Sequence, residues 1–237
     1  MKTLFSLPLL LAIFASSILY SIAADPPVIN SAIVPVPRDT NWIKRHEGFV
    51  AQAKKGDAEI LFMGDSITDG WRRQELWKEK YQPMNAVDFG ISGDKTEHVL
   101  WRLENGECEG IKPKVIVLMI GTNNTGTNSA PQIVEGITAI VKDFRKRLPQ
   151  SKILLLGVFP RGEKADHPAR KKIKEINAQI AKLDDGKMIK YLDIGDKFLD
   201  ADGNLPKDIM PDALHPNAKG YQIWADAMDP TLQALLK

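Results

Sequence analysis

The stretch AEILFMGDSIT, residues 58–68, decides the fold. Ile60, Leu61, Phe62 and Met63 form a short uninterrupted apolar run that stops at Gly64-Asp65-Ser66. Such a run suits an inner strand of a parallel sheet, which is covered on both faces and needs no polar alternation. Ser66 then stands just past the strand's carboxyl end, where open α/β sheets bind ligands. Thr68 or Asp69 is expected to cap a following helix, whose apolar side is Trp71, Leu76 and Trp77. By itself Gly-Asp-Ser reads more readily as turn chemistry than as a site, and Asp65 as a turn and capping residue. The rest of the chain weighs between the two.

Outward from this stretch, strand and helix patterns alternate. Residues 85–89 (NAVDF) read as a second strand ending in Gly90-Ile91-Ser92-Gly93-Asp94, before a helix carrying Val99, Leu100 and Leu103. Residues 115–120 (VIVLMI) are a central strand that runs into the polar loop Gly121-Thr122-Asn123-Asn124. Ile133, Ile137, Ile140, Val141, Phe144 and Leu148 keep helical period. Residues 153–158 and 188–194 supply a fourth and fifth strand, separated by a helix with Ile173, Ile176, Ile180 and Leu183 on one face. Arg170, Lys171, Lys172 and Lys174 read mostly as that helix's solvated side. An irregular segment, residues 202–215, ends in Asp212-Ala213-Leu214-His215 before a last helix striped with Tyr221, Trp224, Met228, Leu232 and Leu235. Upstream, Trp42, Ile43, His46, Phe49 and Val50 mark a first helix, with His46 a packing residue. Five alternations without a second core make one doubly wound α/β domain over residues 25–237, with 25–37 an extended, proline-rich lead-in.

Composition narrows the function. The chain has 237 residues, 43% hydrophobic and 26% charged, with a formal net charge of +2. That balance is ordinary for a globular enzyme and writes in no attraction to nucleic acid or anionic membranes. Lys2, a mostly apolar run over residues 4–19 and Ser21-Ile22-Ala23-Ala24 have the form of a secretory signal peptide cut after Ala23 or Ala24. The expected product, residues 25–237, is secreted or periplasmic with no stable membrane association. An uncleaved anchor is the rival reading. Cys108 is the only cysteine, which excludes an intrachain disulfide and suits a packed small side chain.

Ser66, Gly93 and Asn123 stand at three expected strand ends, and parallel strands bring such ends to one edge. The segment before the last helix adds Asp212 and His215. A serine hydroxyl becomes a useful nucleophile when a base removes its proton, and histidine is the natural base near neutral pH. A carboxylate three residues before the histidine can hold its other ring nitrogen. The Ser66 and Gly93 backbone N–H groups and the Asn123 amide could then donate to an oxyanion. The role of Asn124 stays open. A non-enzymatic alternative, a flavodoxin-like module cradling phosphate on residues 64–70, lacks the repeated glycines or lysine of such loops. It also leaves Asp212 and His215 without a task.

Gly64-Asp65-Ser66, Gly93, Asn123 and Asp212-x-x-His215 together resemble the four sequence blocks of the SGNH (GDSL-type) hydrolases. Within them, the likeness is greatest to the catalytic subunits of intracellular platelet-activating factor acetylhydrolase. It includes Pro37-Arg38-Asp39, FGISGDKTEHVLWRLENGE (residues 89–107), IKPKVIVLMIGTNN (111–124) and Pro160-Arg161-Gly162-Glu163-Lys164. The resemblance implies a flavodoxin-like three-layer α/β/α sandwich with a five-stranded parallel sheet, and no metal or organic cofactor. It assigns Ser66 as nucleophile, Asp212 and His215 as the rest of a triad, and Ser66, Gly93 and Asn123 as the oxyanion hole. By the same likeness Ile67, Thr122 and Leu214 close an acyl pocket around an acetyl group. Thr68-Asp69-Gly70-Trp71 resembles bacterial secreted members, which favours an acetylated carbohydrate, small or polymeric, as substrate. An acetylated phospholipid and a broad set of short-chain esters are the alternatives, and a homodimer stays open.

Overall fold

The computed structural model describes residues 29–237; the expected signal segment lies outside the described residues. Five parallel strands form one sheet in the order β2-β1-β3-β4-β5. They are β1 (Ile60–Gly64), β2 (Ala86–Asp88), β3 (Val115–Met119), β4 (Lys152–Leu156) and β5 (Ile189–Leu192). The helices are α1 (Thr40–Ala53), α2 (Ser66–Asp69), α3 (Thr96–Glu104), α4 (Ala130–Arg147), α5 (Pro168–Ile180) and α6 (Ala218–Leu236).

Alternation along the strands explains the three layers. Leu61, Met63, Ile116, Leu118, Ile153 and Leu155 point into one apolar cluster, which contains the buried faces of α1, α3, α4 and α5. Their neighbours Ile60, Phe62, Val117 and Leu154 point into the other, against Trp71, Trp77 and the Tyr221, Trp224, Met228 stripe of α6. Every residue of β1 and β3 is buried, as a strand covered on both faces requires. The strand order reverses at β1, whose neighbours are β2 and β3, and the crevice at such a switch point is where open sheets hold ligands. Gly64 pairs with Met119, so the loops after β1 and β3 leave the sheet at one level.

Two segments depart from their sequence patterns. The helix expected after Ser66 is broken: α2 gives way to a 3₁₀ turn (Gly70–Arg73), and a π-helical turn (Trp77–Tyr81) follows. Trp71, Trp77 and Tyr81 all pack on Phe62, and Trp71 also meets Tyr221 and Trp224 at 4.6 and 5.0 Å between ring centres. Seating so many rings in one cluster bends the backbone away from regular helix. The second departure is the lead-in, which docks. A 3₁₀ turn (Ser31–Ile33) buries Ala32 completely, and the Ala32 carbonyl accepts from Thr96 Oγ1 at 2.8 Å. The other expected elements are present within one or two residues at most ends. His46 is buried, stacks on Trp42 and bonds to Glu107 and the Asn105 carbonyl. Cys108 is buried among apolar neighbours, and burial pushes its thiol up to about 12.

Candidate active site

Ser66 is the first residue of α2, directly after β1. Asp65, rather than Thr68 or Asp69, is the cap: its Oδ1 accepts the Ile67 N–H at 3.0 Å. Asp65 is wholly buried, and its Oδ2 has no hydrogen-bond partner. Burial pushes this carboxyl up to about 7; the Ile67 bond opposes the shift and the Asp94 charge adds to it. Tyr221 of α6 donates its hydroxyl to the Ile67 carbonyl at 2.7 Å. The same hydroxyl lies 1.8 Å from where a Cβ on Gly70 would stand, so only glycine lets these elements close around the serine.

The Ser66 hydroxyl lies 2.8 Å from His215 Nε2, and His215 Nδ1 lies 2.6 Å from Asp212 Oδ2. A carboxylate only accepts, so the proton sits on Nδ1 and Nε2 is free to accept from the serine. Asp212 Oδ1 also takes the Leu214 and His215 backbone N–H groups, at 3.1 and 2.7 Å. Partial burial pushes the Asp212 carboxyl up, but the bonds from His215 and Leu214 outweigh it and hold its pKa below the ordinary value. Between them Ala213 adopts a left-handed backbone at φ +58°, unusual outside glycine, and the Gly162 N–H holds its carbonyl at 2.9 Å.

Gly93 lies in the loop after β2 at φ +82°, in a turn closed by the Asp94 N–H on the Ile91 carbonyl. That conformation at the third position of a turn calls for glycine. Asn123, in the 3₁₀ turn after β3 (Thr122–Gly126), donates Nδ2 to the Asp94 carbonyl at 2.8 Å. The acceptor fixes which way the amide faces and leaves its second N–H unused by that bond. Ser66, His215, Gly93 and Asn123 thus share one open cleft of about 440 Å³, with Leu214, Ser92 and Arg73 on its rim.

The other two side chains expected at an acyl pocket do not line that cleft. Ile67 is fully buried in the apolar cluster under α6. Thr122 is fully buried too, its carbonyl taken by Arg161 Nη1 at 3.0 Å. They flank Ser66 and Asn123 in sequence, but at the start of a helical turn the adjacent side chain swings away from its neighbour. Leu214 alone of the three reaches the cleft.

Several groups given no place in the site by the sequence hold the loop around Gly93. Arg38 Nη1 donates to the Ser92 carbonyl at 2.8 Å and to Asp94 Oδ1 at 3.3 Å, bridging both sides of Gly93. Trp42 Nε1 reaches Asp94 Oδ1 at 2.7 Å, and Arg102 Nη1 reaches Asp94 Oδ2 at 2.5 Å. Arg102 also binds both Glu107 oxygens, at 3.0 and 2.9 Å, and the Phe89 carbonyl. Ser92 Oγ donates to Asp69 at 2.7 Å. Asn124 ties the β3 loop to α3 by accepting the Thr96 N–H at 3.0 Å and donating to Glu97 at 2.8 Å. The available sequence signal was position: Arg38, Asp94 and Arg102 all fall inside stretches shared with the hydrolases.

Residues 62–223 match the model of the GDSL-like lipase/acylhydrolase family. The chain belongs to that family and is an ester hydrolase. The hydrolase is 42% identical over 200 residues to platelet-activating factor acetylhydrolase IB subunit alpha2 of Rattus norvegicus, covering 84% of this chain and 86% of the relative. It is 39% identical over 213 residues to the alpha1 subunit of Homo sapiens, covering 90% and 91%. Among solved structures it resembles an acetyl xylan esterase, AlAXEase, with a TM-score of 0.63 and 25% identity over 73% of this chain and 98% of the other. Among the described residues no group of three or more His, Cys, Asp or Glu is placed to hold a metal ion.

Proposed function

We propose that this hydrolase is a secreted serine esterase that removes acetyl groups from carbohydrate through Ser66, His215 and Asp212. The observation that carries this reading is the continuous relay from the Ser66 hydroxyl through His215 to Asp212, opening on the cleft shared with Gly93 and Asn123. In the proposed reaction Ser66 Oγ attacks the ester carbonyl while His215 Nε2 takes its proton. The carbonyl oxygen becomes an oxyanion beside the Ser66 and Gly93 N–H groups and the free Asn123 N–H. The C–O bond to the alcohol breaks as His215 returns the proton to it. A water molecule, deprotonated by the same imidazole, then releases acetate and restores Ser66.

The cleft's lining supports a polar alcohol. Leu214 is the one large apolar side chain there, beside Arg73, Ser92 and Asn123, so a long alkyl chain would find little surface to bury against. The likeness to an acetyl xylan esterase supports the same class. Export is supported by the signal-like pattern of residues 1–24. The second reading, deacetylation of a phospholipid, draws on the relatives at 42% identity. The test is kcat/KM on acetylated xylan, other acetylated sugars and acetylated glycerophospholipids, with p-nitrophenyl acetate, butyrate and octanoate for acyl length. Highest values on sugar acetates, falling from acetate to octanoate, are expected. A steady rise with chain length, as burial at about 0.8 kcal/mol per methylene would give, overturns the acetyl preference.

A further inference from the structure

A second depression, of about 460 Å³, begins where the catalytic cleft ends, and Asn123 belongs to both. Its wall carries Arg161, His167 and Lys172 and no carboxylate. Some cations of the described surface meet acids: Arg147 pairs with Asp143 at 2.7 Å and Lys219 with Asp208 at 2.5 Å. Arg161, Lys172 and the adjoining Arg170 form no ion pair among the described residues. Main-chain carbonyls take their donors instead. Lys172 Nζ reaches Thr125 and Asn128 at 2.7 and 2.9 Å, and Arg170 reaches Arg161 and Gly162, both at 3.0 Å.

Carbonyls orient these cations without neutralising them. Burial lowers the pKa of Arg170 and no carboxylate opposes it, whereas at Arg147 Asp143 overcomes burial and raises it. Lys172 keeps one N–H beyond its two bonds, and Arg161 binds protein only through Nη1, leaving Nε and Nη2. His167 accepts the Ala169 N–H on Nδ1 at 3.2 Å, so its proton lies on Nε2. Fixed, unpaired donors at the edge of a cleft bind an anion with little further ordering cost. Neither Arg170 nor Lys172 is the freely solvated helix face that the charge run over residues 170–174 suggests, since both tie down loops next to the site.

We propose that this depression is a subsite for an anionic group, a carboxylate or a phosphate ester, carried by the alcohol portion of the substrate. An acetyl group is too short to reach past Asn123, so only the alcohol portion extends there. A uronate-bearing saccharide and a glycerol phosphate share this chemistry. The subsite rests on the ester-hydrolase reading of the Ser66 cleft.

The experiment uses two substrate pairs matched except for charge. One is acetylated methyl glucuronide against acetylated methyl glucoside; the other is acetylglycerol phosphate against acetylglycerol. In the wild-type protein the anionic member of at least one pair is expected to have a kcat/KM about tenfold higher, mostly through KM. That ratio should shrink in about 0.5 M salt. The double variant Arg161→Gln/Lys172→Gln should bring it close to one, and Arg161→Lys should keep part of it. Taking the ratio within each variant cancels any general loss of activity. The pair that shows the preference identifies the source of the anion. Ratios near one for both pairs in a protein that turns over p-nitrophenyl acetate overturn the subsite alone, as does a ratio unchanged in the double variant. No turnover of any ester, p-nitrophenyl acetate included, overturns the esterase reading and the subsite with it.

Discussion

On one side of Ser66 the loop around Gly93 is anchored to ions sealed from water, with the Asp94, Arg102 and Glu107 side chains each 0% exposed. On the other side Asp212 and His215 sit in a surface loop with side chains 56% and 41% exposed, joined by contacts no more than three residues apart. The contrast fits the two tasks proposed for these loops, holding an oxyanion and moving a proton. Donors to an oxyanion are worth most when they are already in place and need not reorganise. A base must pass a proton between the serine, the leaving alcohol and water, and an exposed loop gives it that access. The buried side gets its rigidity from distant parts of the chain, with Arg38 and Trp42 lying more than fifty residues before Asp94. The exposed side is almost wholly local.

The contrast can be broken at either side. Asp212→Asn should cause the largest loss, lowering kcat by roughly a thousand- to ten-thousandfold because the wrong imidazole tautomer faces Ser66. Since the loop is exposed and local, its melting temperature should stay near that of wild type; thermal unfolding and steady-state kinetics on one preparation check both. Asn123→Ala comes next, with a loss of about a hundred- to a thousandfold in kcat and little change in KM, since the oxyanion exists only near the transition state. A change in KM alone would make Asn123 a substrate-binding residue.

Smaller effects separate anchoring from chemistry. Arg38 is partly exposed and touches the Gly93 turn from outside, so Arg38→Met should fold normally. It should lower kcat by about tenfold, the scale of one charge-assisted hydrogen bond, with partial recovery in Arg38→Lys. A purely structural Arg38 would shift the melting temperature and leave kcat alone. The smallest effect concerns Asp65. Its folded carboxyl, raised to about 7, holds a proton that the unfolded chain releases above about pH 4. Its contribution to stability therefore falls as pH rises through that window, and the penalty persists above it. Asp65→Asn keeps an oxygen for the Ile67 N–H. Its melting temperature should exceed that of wild type by a few degrees near pH 8 and match it below about pH 4.

The sheet was legible because inner strands must be apolar on both faces, and β1 and β3 are uninterrupted apolar runs. The relay was legible because its members stand at strand ends or three residues apart. The path after α2 was not, since Trp71, Trp77 and Tyr81 read as a helical stripe while their packing on Phe62 and α6 requires irregular turns. Nor was the anchoring of Gly93. An arginine in sequence reads as surface, and although its partners Asp94 and Glu107 flank α3 only eight and five residues away, charges at that spacing read equally well as a solvated helix face, so nothing local marks Arg102 as fully buried. Ile67 and Thr122 show the converse: likeness to the hydrolases, at positions next to Ser66 and Asn123, puts them at an acyl pocket, and burial takes them out of the cleft.

Covalent trapping decides whether Ser66, activated by His215, is the nucleophile. The purified hydrolase is treated with a fluorophosphonate, digested, and mapped by mass spectrometry while residual esterase activity is followed. The predicted result is one adduct on the Ser66 peptide, growing in step with inactivation and nearly absent in His215→Ala. Inactivation with the adduct on another residue, or full labelling of Ser66 with activity retained, would contradict it.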